Sequence, residues 1–236
     1  MLTLLQYRTD QSGWHEVKCM YSANMCKYNE MQIVNVANPH ITVQDMLPLL
    51  SKSTQVIIGG LGESGFEEKN PKKKALFKGM VEKSKPLLSH IIEREIPLLG
   101  VCFGHQLIAH LYGGEVVEDK SKAETGLNKI TLNANGLNDP IFSGIDKDFY
   151  AIEGHKSSVV KLPIGAALLA SSEKCEIQAY RLGRATYGLQ FHSELDVEDV
   201  NYRLSLYPEY AGNSLNIKYN KELVVKKILK NFAILS

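Results

Sequence analysis

A cysteine flanked by two glycines, Gly100-Val101-Cys102-Phe103-Gly104, stands where an apolar run gives way to a helical pattern. This spacing is typical of a strand that turns sharply into a helix and presents the central side chain at the bend. Strand and helix pass so closely there that both flanking positions must be very small, and Gly100 and Gly104 meet that condition. The feature therefore predicts an α/β fold with a nucleophilic thiol at Cys102. The alternative is an inert, buried cysteine.

Short apolar runs surround this turn and alternate with helical patterns, most clearly at 74–95. Four runs read as buried parallel strands: residues 2–6, 32–36, 55–58 and 97–101. Five later runs with short polar connections read as antiparallel strands: residues 128–132, 149–152, 167–170, 176–181 and 187–192. We therefore expect an open, mostly parallel twisted sheet of the flavodoxin-like type, with helices on both faces and an antiparallel extension.

A chain of 236 residues is long enough for one α/β domain with a full core. We expect a single domain over 1–236, with a C-terminal helical extension from about 205 to 236. Near its end, Val224, Ile228 and Phe232 recur every four residues, while lysines occupy the other faces. This pattern favours a helix packed on the sheet over a basic helix that binds a partner.

Composition and charge exclude several functional classes. Lysine and arginine number 27 against 26 aspartates and glutamates, so the sequence gives no reason to expect nucleic acid as a partner. The four cysteines lack C-x-x-C spacing, which favours a reducing, cytoplasmic location. No apolar segment approaches a membrane span, and the histidines outside the Cys102 turn and the 187–192 run show no metal-ligand spacing. We therefore expect no membrane association, no metal and no cofactor.

A base for the thiol is found at the end of the last apolar run. Since a thiol is mostly protonated near neutral pH, a nucleophilic Cys102 needs a base nearby. His192 ends that run and Glu194 follows two residues later. In an extended chain residues i and i+2 face the same side, so the carboxylate can orient the imidazole. We expect Cys102, His192 and Glu194 to act together.

The glycine pair Gly59-Gly60 follows the predicted strand 55–58. Such a turn lets a backbone N–H approach a carbonyl oxygen, so the N–H groups of Gly60 and Phe103 are candidates for a two-donor oxyanion hole. The charged segment 61–74 then forms a surface loop beside the site. Gln106, one turn after Cys102, either holds a polar substrate through its amide or is a solvated helix residue.

In these motifs the sequence resembles the class I glutamine amidotransferases, the triad family that includes the glutaminase part of GMP synthase. The resemblance covers most of the chain up to about Glu194, and three motifs stand in family order: Gly59-Gly60, the segment 100–106, and the segment 190–194. It implies that a cysteine attacks the side-chain amide of glutamine, giving ammonia and a γ-glutamyl thioester that water converts to glutamate.

The resemblance also implies roles for individual residues. It makes Cys102 the nucleophile, His192 the base, Glu194 the third member of the triad and Gln106 a ligand of the substrate. It places the substrate against four further residues, Gly59, His155, Ser157 and Ser158, and puts the turn 124–126 near it.

The sequence departs from the family pattern in two respects. Leu61 stands where the family usually has proline after the glycine pair, and a longer charged loop follows. The chain also contains no P-loop and no ATP-pyrophosphatase signature, so we expect a separate synthetase subunit to receive the ammonia. Two alternatives stay open: a stand-alone γ-glutamyl hydrolase or peptidase of the same fold, and a non-catalytic binding module.

Overall fold

The computed structural model describes residues 1–23, 30–62, 65–206 and 224–235, which form a nine-stranded sheet, a two-stranded sheet and helices. The strands are β1 (Leu2–Gln6), β2 (Met31–Asn35), β3 (Gln55–Ile58), β4 (Leu98–Val101), β5 (Glu115–Glu118), β6 (Glu124–Leu132), β7 (Asp148–His155), β8 (Ser157–Lys161), β9 (Ala166–Ser171), β10 (Ala179–Leu182) and β11 (Thr186–Leu189). The helices are α1 (Ser12–Ser22), α2 (Val43–Leu50), α3 (Pro71–Glu93), α4 (Phe103–Leu111), α5 (Ala134–Leu137), α6 (Val197–Leu206) and α7 (Lys226–Ala233). Within the described ranges, no helix is both long and apolar enough to cross a bilayer.

The large sheet has the order β2-β1-β3-β4-β11-β10-β9-β6-β7. Its first five strands pair in parallel, and the remaining neighbours pair antiparallel. Strand β5 pairs with β8 in the small sheet. The predicted mixed sheet is therefore confirmed, although β11, which was expected among the antiparallel strands, pairs in parallel with β4. The carboxyl ends of β3, β4 and β11 thus lie side by side.

Helices cover both faces of the large sheet, as predicted. Alternate residues of β1 belong to different cores: Leu4 packs with residues of α1 and α7, whereas Leu5 packs with residues of α2, α3 and α4. In α7, Ile228 and Phe232 are buried, which confirms the packed helix; Val224 precedes it and is exposed. The predicted extension 205–236 also includes 207–223 and 236, which lie outside the described residues, so it stays a prediction.

Several predicted boundaries were wrong: β6 begins at Glu124 rather than 128, β7 continues to His155 rather than 152, and β10 begins at Ala179 rather than 176. The helix expected over 74–95 spans Pro71–Glu93, because Asn70 caps it by accepting the N–H groups of Lys72 and Lys73 and Pro71 fits its first position. The strand expected over 187–192 ends at Leu189. His192 instead lies beyond the strand and forms an isolated bridge with Ile152 of β7.

Candidate active site

Cys102 occupies the sharp turn between β4 and α4. Its backbone has φ 53° and ψ −98°, a conformation that L-residues rarely adopt. A Cβ on Gly100 would overlap the backbone carbonyl of Gly104, and one on Gly104 would lie 2.5 Å from the backbone oxygen of Ile58. The requirement for two small flanking residues is therefore confirmed. The thiol lies at the N-terminus of α4, where the unpaired first N–H groups favour negative charge.

His192 and Glu194 meet directly beside this turn. His192 Nδ1 lies 2.8 Å from Glu194 Oε1, and both side chains are buried. The backbone N–H of His192 donates to Ile152 O at 2.8 Å, which holds the residue although the strand has ended. His192 and Cys102 line the same cavity, and the imidazole interacts electrostatically with the Cys102 thiol. A thiol, a base and an orienting carboxylate thus lie together at one site.

The charges of this group stabilise one another. Burial by itself lowers the pKa of His192, but the negative charges of Glu194 and Cys102 outweigh that effect and raise it to about 10. Burial by itself raises the pKa of Glu194, but the His192 imidazolium and Arg203 lower it to about 2. The arrangement therefore favours an imidazolium held by a carboxylate, next to a group able to carry negative charge.

Two glutamine side chains connect the thiol to the small sheet. Gln190 Nε2 lies 3.7 Å from Cys102 Sγ, and Gln190 Oε1 accepts a hydrogen bond from Gln106 Nε2 at 3.1 Å. Gln106 Nε2 also donates to the backbone oxygen of Ser157 at 2.7 Å. The amide nitrogen of Gln106 therefore has protein partners, and Gln190 is the glutamine that touches the thiol.

The glycine pair after β3 is held by a buried ion pair. Gly60 N–H donates to Glu16 Oε1 at 2.8 Å, and the same oxygen accepts Arg8 Nε–H at 3.1 Å. Gly59 N–H donates to the backbone oxygen of Leu5 at 3.3 Å. This differs from the arrangement expected from the sequence, because in this structure the Gly60 N–H is occupied by a carboxylate.

Cys102 lies between two cavities, which we name the inner and the outer cavity. The inner cavity has a volume of about 110 Å³, and among its walls are Arg8, Thr125, His192 and Arg203. The outer cavity has a volume of about 580 Å³ and includes the start of α4 and charged residues of the loop before α3. Leu61 and Gly62 line both cavities, so the predicted loop lies beside the site, with its Glu63 and Ser64 outside the described residues. The predicted end of this loop at residue 74 was wrong, because α3 begins at Pro71.

The residues expected to bind substrate do not all face these cavities. Gln106, His155 and Ser157 line the outer cavity, whereas Gly59 and Ser158 line neither. A Cβ on Gly59 would overlap the Glu16 carboxylate, so this glycine makes room for that side chain. The buried hydroxyl of Ser158 lies 3.3 Å from His155 Nδ1, on the protein side of the cavity wall.

The imidazole of His155 lies between two buried carboxyl groups. Its Nε2 is 3.6 Å from Glu124 Oε2 and 3.5 Å from Glu153 Oε2. Burial and the neighbouring Glu124 raise the pKa of Glu153. Two groups in the described ranges bring together donor atoms that could hold a metal ion: His15, Cys19 and Asp199, and Glu124, His155 and Cys175. Neither group includes the thiol of Cys102.

Sequence reasoning missed four residues next to the site: Arg8, Glu16, Gln190 and Arg203. Gln190 could have been found, since it precedes His192 by two and so shares its side of an extended chain. The other three come from the segment after β1, from α1 and from α6, and no local spacing connects them to Cys102.

Comparisons with known proteins identify relatives of this arrangement. The profile of the family described as "Glutamine amidotransferase class-I" matches residues 19–202. One subunit of the glutamine-hydrolysing GMP synthase of Methanosphaera stadtmanae is 39% identical over 134 residues, which cover 55% of this chain and 69% of that protein. Its counterpart from Methanocaldococcus jannaschii is 37% identical over 116 residues, or 49% of this chain and 60% of that protein, which is less than two thirds of its length.

The fold has close counterparts among solved structures. A glutamine amidotransferase from Thermotoga maritima superposes with a TM-score of 0.72 at 19% identity, covering 98% of this chain and 95% of that one. At this level of identity the likeness concerns the fold alone.

Proposed function

Because the chain belongs to the class I glutamine amidotransferase family, we propose that it hydrolyses the side-chain amide of glutamine through a γ-glutamyl thioester on Cys102. The observation that supports this most directly is that Cys102, at its strained turn, shares a cavity with His192, whose Nδ1 lies 2.8 Å from Glu194 Oε1. The residue roles proposed below rest on that geometry.

In the proposed first half-reaction, the Cys102 thiolate attacks the amide carbon and the carbonyl oxygen becomes an oxyanion. The His192 imidazolium then gives its proton to the amide nitrogen, the C–N bond breaks, and ammonia leaves with a thioester in place. In the second half-reaction neutral His192 removes a proton from water, which attacks the thioester carbon. The C–S bond breaks, Cys102 leaves as thiolate, and glutamate is released. Glu194 keeps His192 in the required tautomer throughout.

The oxyanion needs two backbone donors. The Phe103 N–H, in the first turn of α4, is the first candidate. The second belongs to the loop after β3. Gly60, the donor expected from the sequence, can serve only after Glu16 releases it, whereas Leu61 is the next residue and borders both cavities.

We assign the glutamine substrate to the outer cavity. Gln106, His155 and Ser157 line it, together with lysines and glutamates that can neutralise the α-carboxylate and α-ammonium groups: Glu67, Glu68, Lys69, Glu118, Lys120 and Lys156. Gly59 and Ser158 support the walls from behind, Gly59 beside Glu16 and Ser158 beside His155.

We further propose that the ammonia is used by a separate synthetase subunit. This rests on the relatives, whose names describe one subunit of a glutamine-hydrolysing GMP synthase. The acceptor is therefore expected to be the substrate of an ATP-dependent synthetase.

Glutamate release from L-glutamine tests the proposal, measured with and without a purified synthetase subunit of GMP synthase. We expect glutamate release to rise when the synthetase subunit is present and to be lost in Cys102→Ala. Cys175→Ala should keep the activity, because the Cys175 thiol is buried away from the cavities. A glutamine-analogue diazoketone should label Cys102, located by mass spectrometry. Absence of both labelling and glutamate release would overturn the proposal, and turnover of γ-glutamyl peptides without turnover of glutamine would favour the hydrolase alternative.

A further inference from the structure

The proposed triad carboxylate has a second cationic neighbour. Glu194 Oε1, which faces His192 Nδ1, also lies 3.3 Å from Arg203 Nη1 of α6. The Glu194 side chain is 1% exposed and that of Arg203 is 10% exposed. A guanidinium that shares one carboxylate oxygen with the imidazole restricts the rotation of that carboxylate.

Arg203 is in turn held by a histidine of α1. Arg203 Nε–H donates to His15 Nδ1 at 3.3 Å, and His15 Nε2 lies 3.1 Å from Asp199 Oδ1. Because a guanidinium can only donate, Nδ1 of His15 must carry no proton, and Nε2 donates to Asp199. Burial and the positive charge of Arg203 lower the pKa of His15, in agreement with a neutral ring.

His15 and Arg203 both lie outside residues 19–202, the segment that the family profile matches. They are 188 residues apart in sequence. The donor atoms of His15, Cys19 and Asp199 are close enough to hold a metal ion. Both ring nitrogens of His15 already have hydrogen-bond partners, however, so the hydrogen-bonded network accounts for the cluster.

We propose that Arg203 and His15 are positioning residues for the catalytic group: neutral His15 fixes Arg203, and Arg203 fixes the Glu194 carboxylate in the orientation that receives His192 Nδ1–H. This inference rests on the proposed function. A proton on Nδ1 of His15 would face the Nε–H of Arg203 donor to donor, so protonation of His15 releases the guanidinium. The chain therefore carries a pH dependence that originates outside the triad.

The groups that face His15 determine this titration. From α6 they are Arg203, Asp199, the ring of Tyr202, whose centroid is 4.6 Å away, and Glu198, which lines the same cavity as His15. From α1 they are Lys18 and Cys19, with Cys19 Sγ 3.6 Å from Nε2. Asp199 favours the charged ring, whereas Arg203 and Lys18 oppose it.

Three variants test the proposal: Arg203→Met, Arg203→Lys and His15→Gln. Glu82→Gln, on the exposed surface of α3, is the control. Cys102 alkylation by iodoacetamide, which needs no partner subunit, is followed over roughly pH 5 to 9 with the site identified by mass spectrometry. The kcat and KM for glutamine are measured over the same range.

Arg203→Met is expected to lower kcat by about 10- to 100-fold with little change in KM, and to slow alkylation near pH 6, because a misoriented Glu194 holds the imidazolium less well. Arg203→Lys should recover part of the loss. His15→Gln offers the same acceptor and donor without titrating, so it should keep the plateau rate and lose the acid limb that wild type shows below roughly pH 6.5.

Unchanged kcat and alkylation in folded Arg203→Met, or an unchanged acid limb in His15→Gln, would overturn the proposal. If Arg203→Met does not fold, the lysine variant and His15→Gln decide. If wild type does not hydrolyse glutamine under any condition, the proposed function fails, while the alkylation profiles still decide the positioning role.

Discussion

The carboxylate of Glu16 accepts the backbone N–H of Gly60 at 2.8 Å, across 44 residues of sequence. The same oxygen receives Arg8 Nε–H at 3.1 Å, and Glu16 is completely buried. Helix α1 therefore anchors the loop after β3 through Glu16, and through His15 it contacts Arg203, which pairs with the Glu194 carboxylate. Two sides of the candidate active site thus depend on the position of one helix.

Removing the Glu16 carboxylate should destabilise the protein strongly. In Glu16→Ala, buried Arg8 loses the carboxylate that it faces, and the Gly60 N–H loses its acceptor. The free energy of unfolding should therefore fall by about 3–5 kcal/mol. Glu16→Gln retains an oxygen acceptor and should lose less. Denaturant unfolding measures both, with Glu82→Ala as the control because Glu82 pairs with Lys78 on the exposed surface. Equal stability of Glu16→Ala and the control would contradict this account.

The close passage of β4 and α4 predicts opposite effects of the same substitution at two glycines. Gly100→Ala puts a methyl group into the Gly104 backbone and should cost about 1–3 kcal/mol or more, with loss of Cys102 reactivity. Gly79→Ala in α3 meets nothing within 4 Å and should stabilise by about 0.5–1 kcal/mol through helix propensity. Thermal unfolding of the two variants checks the pair. A tolerated alanine at residue 100 would mean that the backbone can separate there.

Much of this site could be predicted because its signals are local. The spacing around Cys102 encodes the turn, and His192 and Glu194 meet at the predicted separation of two residues, although β11 ends at Leu189 and the chain bends at residues 193 and 194. That contact survives because the Ile152 carbonyl, rather than a continued strand, holds His192.

The contacts that surround the site could not be predicted in this way. Arg8, Glu16 and Arg203 reach it from elements distant in sequence, and a buried charged side chain has no period that marks it in a single sequence. For the same reason, the sequence did not predict the hydrogen bond from the Gly60 N–H to the Glu16 carboxylate.

The strained backbone at Cys102 should lower the free energy of unfolding. A non-glycine residue at φ 53° costs of order 1–2 kcal/mol relative to glycine. Cys102→Gly should therefore be more stable than Cys102→Ala by about 1 kcal/mol. Both variants lack the thiol, so the comparison isolates the backbone. Denaturant unfolding with equal m-values measures the difference, and a less stable glycine variant would contradict stored strain at the turn.

The His192–Glu194 pair predicts how stability depends on pH. The pKa of Glu194 is lowered from 4.5 to about 2, so its contribution is present above its ordinary value and is lost as the pH falls through about 2. The pKa of His192 is raised from 6.5 to about 10, so its contribution is complete below 6.5 and is lost as the pH rises through about 10. Both pKa shifts arise from the same ion pair between His192 and Glu194, so the contribution of that pair to stability is counted only once.

Wild type should accordingly lose stability relative to His192→Gln as the pH rises from roughly 7 to 10, by at least about 1 kcal/mol, since one unit of pKa shift corresponds to about 1.4 kcal/mol. Denaturant unfolding at several pH values in this window measures the difference. The Cys102→Ala variant shows how much of this pH dependence comes from Cys102, because Cys102 also raises the pKa of His192. If wild type and His192→Gln show parallel curves, the imidazole is neutral in the folded protein and Glu194 holds it only as a hydrogen-bond acceptor.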